Sequence, residues 1–272
     1  MAGLIEIEWI LAYIVLGSAV GFFAGLFGIG GGGIMVPILT TMFVLQGFPI
    51  EHTVHAALAT SMAAIIFTSF SSFRAHHQHG GVLWPVVWRI SPGIIFGTFS
   101  VAFIAAYIPS QPLAIFFAVF MLYVSIRMFL DIKPKPSRKL PGILGLSAAG
   151  TGIGGISALV AIGGGSLTVP FLTWCNVKIQ NAIGTSAAVG FPIAVAGTLG
   201  YMTGGLTVNS LPDYTLGFIY LPAVIAITVV SVFTAPLGAK LAHKLPVDTL
   251  KKLFAGLLLF LCAKMLYTVF SG

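Results

Sequence analysis

The segment IGGGGIMVPILT, residues 29–40, returns later in the chain as IGGGSLTVPFLT, residues 162–173. The two copies are 133 residues apart, and the same offset aligns two upstream glycine pairs, which are Gly17 with Gly150 and Gly21 with Gly154. An internal repeat is considered before any single segment because it decides the plan of the whole chain. We therefore predict two related halves, residues 1–131 and 141–272, joined by a basic linker over residues 132–140 whose prolines oppose helix formation.

The composition is that of a membrane protein. Of the 272 residues, 58% are hydrophobic and 7% are charged, whereas a soluble domain has roughly a quarter of its residues charged. A helix that crosses hydrocarbon needs about 20 apolar residues, and the chain has several runs long enough. The net charge of +7 comes without a basic motif interleaved with aromatic residues, so we expect no nucleic-acid partner. The predicted fold class is an all-α polytopic membrane protein in a lipid bilayer.

Apolar runs between polar breaks predict five membrane segments in each half. In the first half they cover residues 9–27, 34–46, 55–73, 83–107 and 112–131. In the second half they cover residues 142–160, 167–176, 180–203, 214–240 and 247–270. The second segment of each half follows the glycines and is too short to span a bilayer by itself as a helix. The prediction therefore includes discontinuous helices broken at glycine.

The distribution of lysine and arginine indicates how many segments cross, because these residues concentrate in cytoplasmic loops. With ten crossings, 12 of the 13 basic residues fall on one side and Lys264 on the other. If the short segments do not cross, the division is 8 against 5. We therefore predict ten crossings, with both termini outside the cytoplasm. Five segments per half make the second repeat inverted relative to the first, as in many secondary transporters.

The glycine runs predict a break in a membrane helix, because each glycine costs up to about 1 kcal/mol relative to alanine inside a helix. Backbone released from a helix inside a bilayer needs a polar partner, and the restarted helix presents free N–H groups and the positive end of its dipole. Such an end attracts anions. Hydroxyls one helix further on and an arginine at the inner mouth extend the candidate site. The predicted substrate-binding residues are Gly30, Gly31, Gly32, Gly33, Thr60, Ser61, Arg74, Gly163, Gly164, Gly165, Ser166, Thr185 and Ser186.

Each of these features also has a structural explanation. Glycines four residues apart, as at Gly17 and Gly21 or Gly150 and Gly154, let helices approach closely, and for these pairs packing is the preferred interpretation. Serine and threonine hydroxyls bond to the backbone of their own helix as readily as to a ligand. Arg74 fits a positive-inside anchor.

The charged and reactive residues favour an anion carrier over other chemistries. All six acidic residues map to predicted segment ends, so no midplane carboxylate is available to bind a cation or relay a proton. The three histidines within residues 76–79 lack an acidic or cysteine co-ligand, and we predict neither a metal nor a cofactor. Residues 28–33 match G-x-G-x-x-G without the preceding strand that dinucleotide binding requires. A serine hydrolase at Ser166 needs a base within reach, and His243 lies in the inner basic loop, so we expect no enzyme.

At these residues the chain resembles the TauE/SafE family of sulfite and organosulfonate exporters, which are prokaryotic and plant membrane permeases. The family pattern of G-x-G-G-G followed by proline corresponds to residues 28–32 with Pro37 and to residues 161–165 with Pro170, where Ala161 replaces the leading glycine. Further positions similar to the family pattern are Thr60, Ser61, Arg74, Gly81, Thr185 and Ser186. The resemblance spans nearly the full chain.

The resemblance implies export of a small anionic substrate, sulfite or an organosulfonate, across a prokaryotic inner membrane. With inverted repeats, the expected mechanism is alternating access. Four alternatives stay open: an anion channel, a permease for another small anion, an intramembrane serine hydrolase, and a membrane subunit that delivers substrate to a partner enzyme. A homo-oligomer is compatible with each of them.

Overall fold

The structure is a computed structural model that describes residues 7–27, 31–78, 80–130, 137–242 and 247–271. Its helices in these ranges are α1 (Ile7–Phe27), α2 (Gly32–Leu45), α3 (Ile50–Gln78), α4 (Trp84–Ala105), α5 (Ser110–Phe129), α6 (Ile143–Val160), α7 (Gly165–Trp174), α8 (Ile179–Gly205), α9 (Leu221–Ala242) and α10 (Val247–Ser271). Two short strands, β1 (Thr215–Leu216) and β2 (Ile219–Tyr220), pair antiparallel in a hairpin before α9.

Every predicted membrane segment has a helix at its position, and the all-α prediction is confirmed. Eight of the described helices are long and apolar enough to cross a membrane. The other two are α2, with 14 residues, and α7, with 10, which are about 21 Å and 15 Å long at 1.5 Å per residue. The prediction that the ninth segment begins at residue 214 is wrong, because the hairpin occupies residues 215–220 and α9 begins after it.

Each short helix begins at a glycine-rich segment of the sequence, and we refer to these two segments, residues 28–33 and 161–166, as the breaks. α1 ends at Phe27 and α2 begins at Gly32, while α6 ends at Val160 and α7 begins at Gly165. The residue before each short helix is a glycine with positive φ, 78° at Gly31 and 85° at Gly164, a conformation that residues with a Cβ atom rarely adopt. Each short helix also contains a proline at its sixth position, Pro37 or Pro170. Because proline has no N–H group, it leaves a first-turn carbonyl without its usual helical partner.

Two close helix pairs hold the halves together. α1 packs along α9 and α4 packs along α6, so the first helix of each half lies against the fourth helix of the other. Cβ atoms added at four glycines would lie 2.5 to 2.6 Å from a backbone oxygen across these interfaces; the pairs are Gly17 with Ile227, Gly21 with Ser231, Gly150 with Ile90, and Gly154 with Ile94. The prediction that these glycines serve helix packing is confirmed.

One end of the bundle, the hairpin end, gathers the start of α3, the end of α4 and the β-hairpin. The Nε2 atom of His55 lies 2.8 Å from the carbonyl oxygen of Ile108, and the imidazole ring stacks on Phe218. The end of α2 lies here as well, because the ring of Phe43 in α2 packs against the ring of Tyr220 in the hairpin, with centroids 5.7 Å apart.

The opposite end, the linker end, gathers the loop before α4, the start of α8 and the end of α7. The Leu83 N–H donates to the Thr185 hydroxyl in the second turn of α8 at 2.9 Å. The N–H of Arg138, in the linker, donates to the carbonyl of Trp174 at the last residue of α7 at 3.2 Å. The short helices α2 and α7 therefore end at opposite ends of the bundle.

Candidate functional site

The two glycine breaks meet between the long central helices α3 and α8. A Cβ atom on Gly32 would overlap the carbonyl oxygen of Ala161, and the side chain of Ile65, at the middle of α3, lies 3.4 Å from the same point. In the other half, a Cβ atom on Gly190 of α8 would lie 2.5 Å from the carbonyl oxygen of Gly163. The break of each half is therefore in contact with a central helix, and the two breaks touch.

Both short helices begin with N–H groups that have no acceptor within their own helix. No side chain caps α2 or α7. The Gly164 carbonyl accepts the first helical hydrogen bonds of α7, from residues 167–168, at 3.2 Å and 2.7 Å. The N–H groups of residues 165–166 precede that first bond, as those of residues 32–33 do in α2. These groups and the positive dipole ends of α2 and α7 lie at the breaks, where they favour an anion.

Thr60 and Thr185 hold loops of the opposite half. The Thr60 hydroxyl on α3 accepts the N–H of Tyr220, the residue before α9, at 3.1 Å. The Thr185 hydroxyl on α8 accepts the N–H of Leu83, the residue before α4, at 2.9 Å. Both threonines are fully buried. Each of these hydroxyl oxygens therefore bonds to the backbone of the other half of the chain. A hydrogen bond to its own helix would not connect the halves in this way.

Four buried hydroxyls at the breaks have no hydrogen-bond partner among the described residues; they belong to Ser61, Ser166, Thr168 and Ser186. Ser61 is 0% exposed and lies one turn from Ile65, and Ser186 is 2% exposed. The Thr168 hydroxyl and the Ser186 carbonyl lie 3.4 Å and 3.6 Å from the position of a Cβ atom on Gly164. Leaving a buried polar group unsatisfied costs about 1–3 kcal/mol, so native structures rarely do so without a reason. A ligand with several acceptor oxygens would supply the missing bonds.

Thr168 is the member of this group that was not predicted from the sequence. It corresponds in the repeat to Met35, so it carries no repeated signal. The available signal was a threonine one turn after Gly164, in the short segment that follows the glycines.

Several residues of the predicted site do not lie beside these four hydroxyls. Arg74 is exposed near the end of α3, about 20 Å from Ser61 along the helix at 1.5 Å per residue. A Cβ atom on Gly33 would lie 2.6 Å from the Met121 side chain, and both residues line a small apolar cleft together with Phe254. Outside the described residues lie Gly28, Gly30, His79, His243 and residues 131–136, which include the first five residues of the linker.

The electrostatics of the site come from the backbone. Among the side chains that the structure describes, His55 is the one buried residue of an acidic or basic type, and it lies at the hairpin end. In the same part of the chain, no three histidine, cysteine or acidic residues are grouped so as to hold a metal ion. The described lining therefore consists of hydroxyls, N–H groups, carbonyls and helix dipoles.

The chain is similar to known membrane transporter proteins. A family model described as "Sulfite exporter TauE/SafE" matches residues 13–265. The chain is 37% identical to a probable membrane transporter protein of Haemophilus influenzae, over 94% of this chain and 98% of that protein. It is 28% identical to a probable membrane transporter protein of Methanocaldococcus jannaschii, over 93% of this chain and 95% of that protein. A probable membrane transporter protein of Bacillus subtilis is 28% identical, over 89% of this chain and 92% of its own. No solved structure matches the chain.

Proposed function

Since the chain belongs to the sulfite exporter TauE/SafE family of membrane transporters, we propose that it exports a small sulfur-containing oxyanion, sulfite or an organosulfonate, across a prokaryotic inner membrane. The observation that carries the proposal is the group of buried, unpartnered hydroxyls of Ser61, Ser166, Thr168 and Ser186 beside the starts of two helices. The family supplies the choice of a sulfur oxyanion.

The chemistry of the lining suits an oxyanion. A sulfonate or sulfite group presents three acceptor oxygens, and each hydroxyl has a proton to donate. The N–H groups of residues 32–33 and 165–166 add donors from the backbone. Each helix start carries the equivalent of about half a positive charge, so two of them together balance one anionic charge without a buried lysine or arginine. We place the substrate between these two helix starts.

Alternating access between inverted halves is the mechanism we propose. The halves are residues 1–131 and 141–272, with the linker over 132–140, and each contains one helix broken at glycine. Three paired features support the inversion: the contacts of α1 with α9 and of α4 with α6, the matching bonds of Thr60 and Thr185 to the opposite half, and the opposite directions of α2 and α7. A substrate held where the breaks touch would face one side or the other as the halves rock.

The charged residues support ten crossings with the hairpin end outside. Lys139 and Lys178 flank the linker end, whereas Glu51 and Asp213 lie by the hairpin end. Because basic residues concentrate on the cytoplasmic side, we propose that the linker end is cytoplasmic and both termini are outside.

Cysteine labelling tests this orientation. Asp213→Cys should react with a membrane-impermeant thiol reagent in intact cells, and Lys139→Cys should react only after permeabilisation, because both positions are exposed but at opposite ends of the bundle. The native cysteines, Cys175 and Cys262, are each 4% exposed, so the unmodified protein is the control and should stay unlabelled. The reverse pattern of labelling contradicts the orientation.

Transport itself is tested with purified protein in liposomes. We expect saturable uptake of labelled sulfite and methanesulfonate, and faster uptake when the liposomes are preloaded with unlabelled substrate, because a carrier returns more quickly when loaded. Empty liposomes and liposomes containing an unrelated membrane protein are the controls. Uptake that does not saturate and is not accelerated by preloading would indicate a channel, and uptake of sulfate or carboxylates alone would contradict the proposed substrate class.

A further inference from the structure

His55 is held at both ring nitrogens inside a membrane segment. It is 1% exposed on α3, at the hairpin end. Its Nε2 atom lies 3.1 Å from the carbonyl oxygen of Ala105 and 2.8 Å from that of Ile108, at the C-terminal end of α4. Its Nδ1 atom lies 3.3 Å from the hydroxyl oxygen of Ser110, the first residue of α5. Ionisable residues inside membrane segments are rare and usually functional.

The groups around this ring are arranged as hydrogen-bond acceptors. The carbonyls of Ala105 and Ile108, which we call the α4 carbonyls because they lie at and just after the end of that helix, only accept, so Nε2 carries a proton. Ser110 has one hydroxyl proton, which it donates to the Glu51 carbonyl at 2.6 Å. Its oxygen therefore turns a lone pair toward Nδ1, and a hydrogen bond there requires a proton on Nδ1 as well. The arrangement fits an imidazolium, which donates from both nitrogens, at the negative end of the α4 dipole.

We propose that His55 is a proton-binding site through which proton movement is coupled to anion transport, an inference that rests on the transport function proposed above. The proton comes from the outer solution and adds to the Nδ1 lone pair. When it leaves, the Ser110 hydroxyl turns from the Glu51 carbonyl to Nδ1, so the contact between the first turns of α3 and α5 changes. In export, one proton enters from the outer solution for each monovalent anion that leaves.

A helix cap alone does not account for the site. Capping the α4 carbonyls needs one N–H donor, which an amide side chain supplies equally well. The second nitrogen, Nδ1, faces the Ser110 hydroxyl, whose proton is donated to the Glu51 carbonyl. A proton bound at Nδ1 would complete a hydrogen bond to the Ser110 oxygen.

The β-hairpin connects His55 to the anion site. The Phe218 ring stacks on the imidazole with centroids 5.0 Å apart. Two residues later, the N–H of Tyr220 donates to Thr60, the neighbour of Ser61. Along α3, Ser61 is about 9 Å from His55 at 1.5 Å per residue. A charge on His55 therefore acts on the hairpin and on the anion together.

The other titratable groups near His55 leave a path for protons from the hairpin end. The ring centroid of His52, one turn earlier on α3, is 6.0 Å away, and its Nδ1 atom is buried without a partner among the described residues. Glu51, at the start of α3, and Tyr107, after α4, are exposed. On the hairpin, Tyr220 packs among aromatic rings. We assign His52 to the path between the outer solution and His55.

The test uses liposomes and methanesulfonate, which stays ionised, so that any proton carried is bound by the protein. With an acidic interior and the membrane potential held at zero, the wild-type protein should accumulate methanesulfonate about tenfold for each pH unit of gradient, the ratio for one proton exchanged per anion. His55→Gln keeps a donor for the α4 carbonyls and an acceptor for Ser110 but binds no proton, so it should equilibrate methanesulfonate without accumulating it. His77→Gln, at the other end of α3, is the matched control and should accumulate like wild type.

The outcomes separate this inference from the proposed function. Accumulation by His55→Gln equal to that of wild type overturns the proton site and leaves transport intact. If the wild-type protein moves no methanesulfonate, the proposed transport function fails, and the proton site is then tested by NMR spectra of the histidines. The resonance that is absent from the His55→Gln spectrum belongs to His55. It must shift as the pH falls, and a constant chemical shift overturns the proton site. If His55→Gln does not fold, Ser110→Ala should lower accumulation with His55 in place, and unchanged accumulation overturns the proposal.

Discussion

Alanine at both Ser61 and Ser186 is expected to remove saturable anion transport while the protein stays folded. Hydrogen bonds to a charged group contribute about 1.5–3 kcal/mol each, so each hydroxyl accounts for about tenfold to 150-fold in affinity. Neither hydroxyl has a partner among the described residues, so its removal takes no bond from the fold. The measurement is initial methanesulfonate uptake against concentration: each single variant should raise the half-saturation concentration at least about tenfold, and the double variant should show no saturable uptake.

Ser125→Ala is the matched control for this prediction. Ser125 is also buried, at 1% exposure, and its hydroxyl also lacks a partner among the described residues, but it lies in the last two turns of α5, toward the linker end. The variant should transport like wild type. Normal transport by the double variant would exclude both serines from the site, and an equal loss in Ser125→Ala would show that the effect arises from packing.

Helix positions were predictable because they depend on features local in sequence. Apolar runs and glycine clusters are visible along the chain, and α2 and α7 begin at Gly32 and Gly165, two residues before the predicted starts. The hairpin before α9 was missed because strands of two residues produce no apolar run of their own.

The roles of the hydroxyls were not predictable, because they depend on partners distant in sequence. Thr60 and Ser61 are adjacent, yet the Thr60 hydroxyl accepts an N–H from a residue 160 positions away, and the Ser61 hydroxyl has no partner among the described residues. Both residues were predicted to have the same role, substrate binding. In the structure, one hydroxyl therefore joins the two halves and the other has no partner among the described residues.

Burial explains why His55 was overlooked. The three histidines within residues 76–79 attract attention by their density, whereas His55 stands in an apolar helix with His52 one turn before it. Whether such a histidine faces lipid, water or a set of carbonyls is decided by helix packing. The carboxylates are the more familiar proton carriers, and the sequence offers none at the predicted midplane.

Gly32→Ala is expected to destabilise the protein by about 3 kcal/mol or more, at the upper end of the cost of overpacking. The new Cβ atom would overlap the Ala161 carbonyl oxygen, and this contact is between backbones, so no side chain can turn aside to relieve it. Separation of α2 from the second break would also disturb the place where the halves touch. The measurement is thermal unfolding in detergent, where Gly32→Ala should melt well below wild type or fail to accumulate as folded protein.

Gly152→Ala is the control that separates sterics from helix chemistry. Gly152 lies inside α6, and a Cβ atom there would meet nothing within 4 Å, so this variant should keep wild-type stability or gain up to about 1 kcal/mol from better helix propensity. Wild-type stability in Gly32→Ala would mean that the two breaks do not touch as described. Because Gly32 is needed for this contact, lost transport in its variants does not report on anion binding. The serine variants therefore test the anion site, and Gly32 tests how closely the two halves approach.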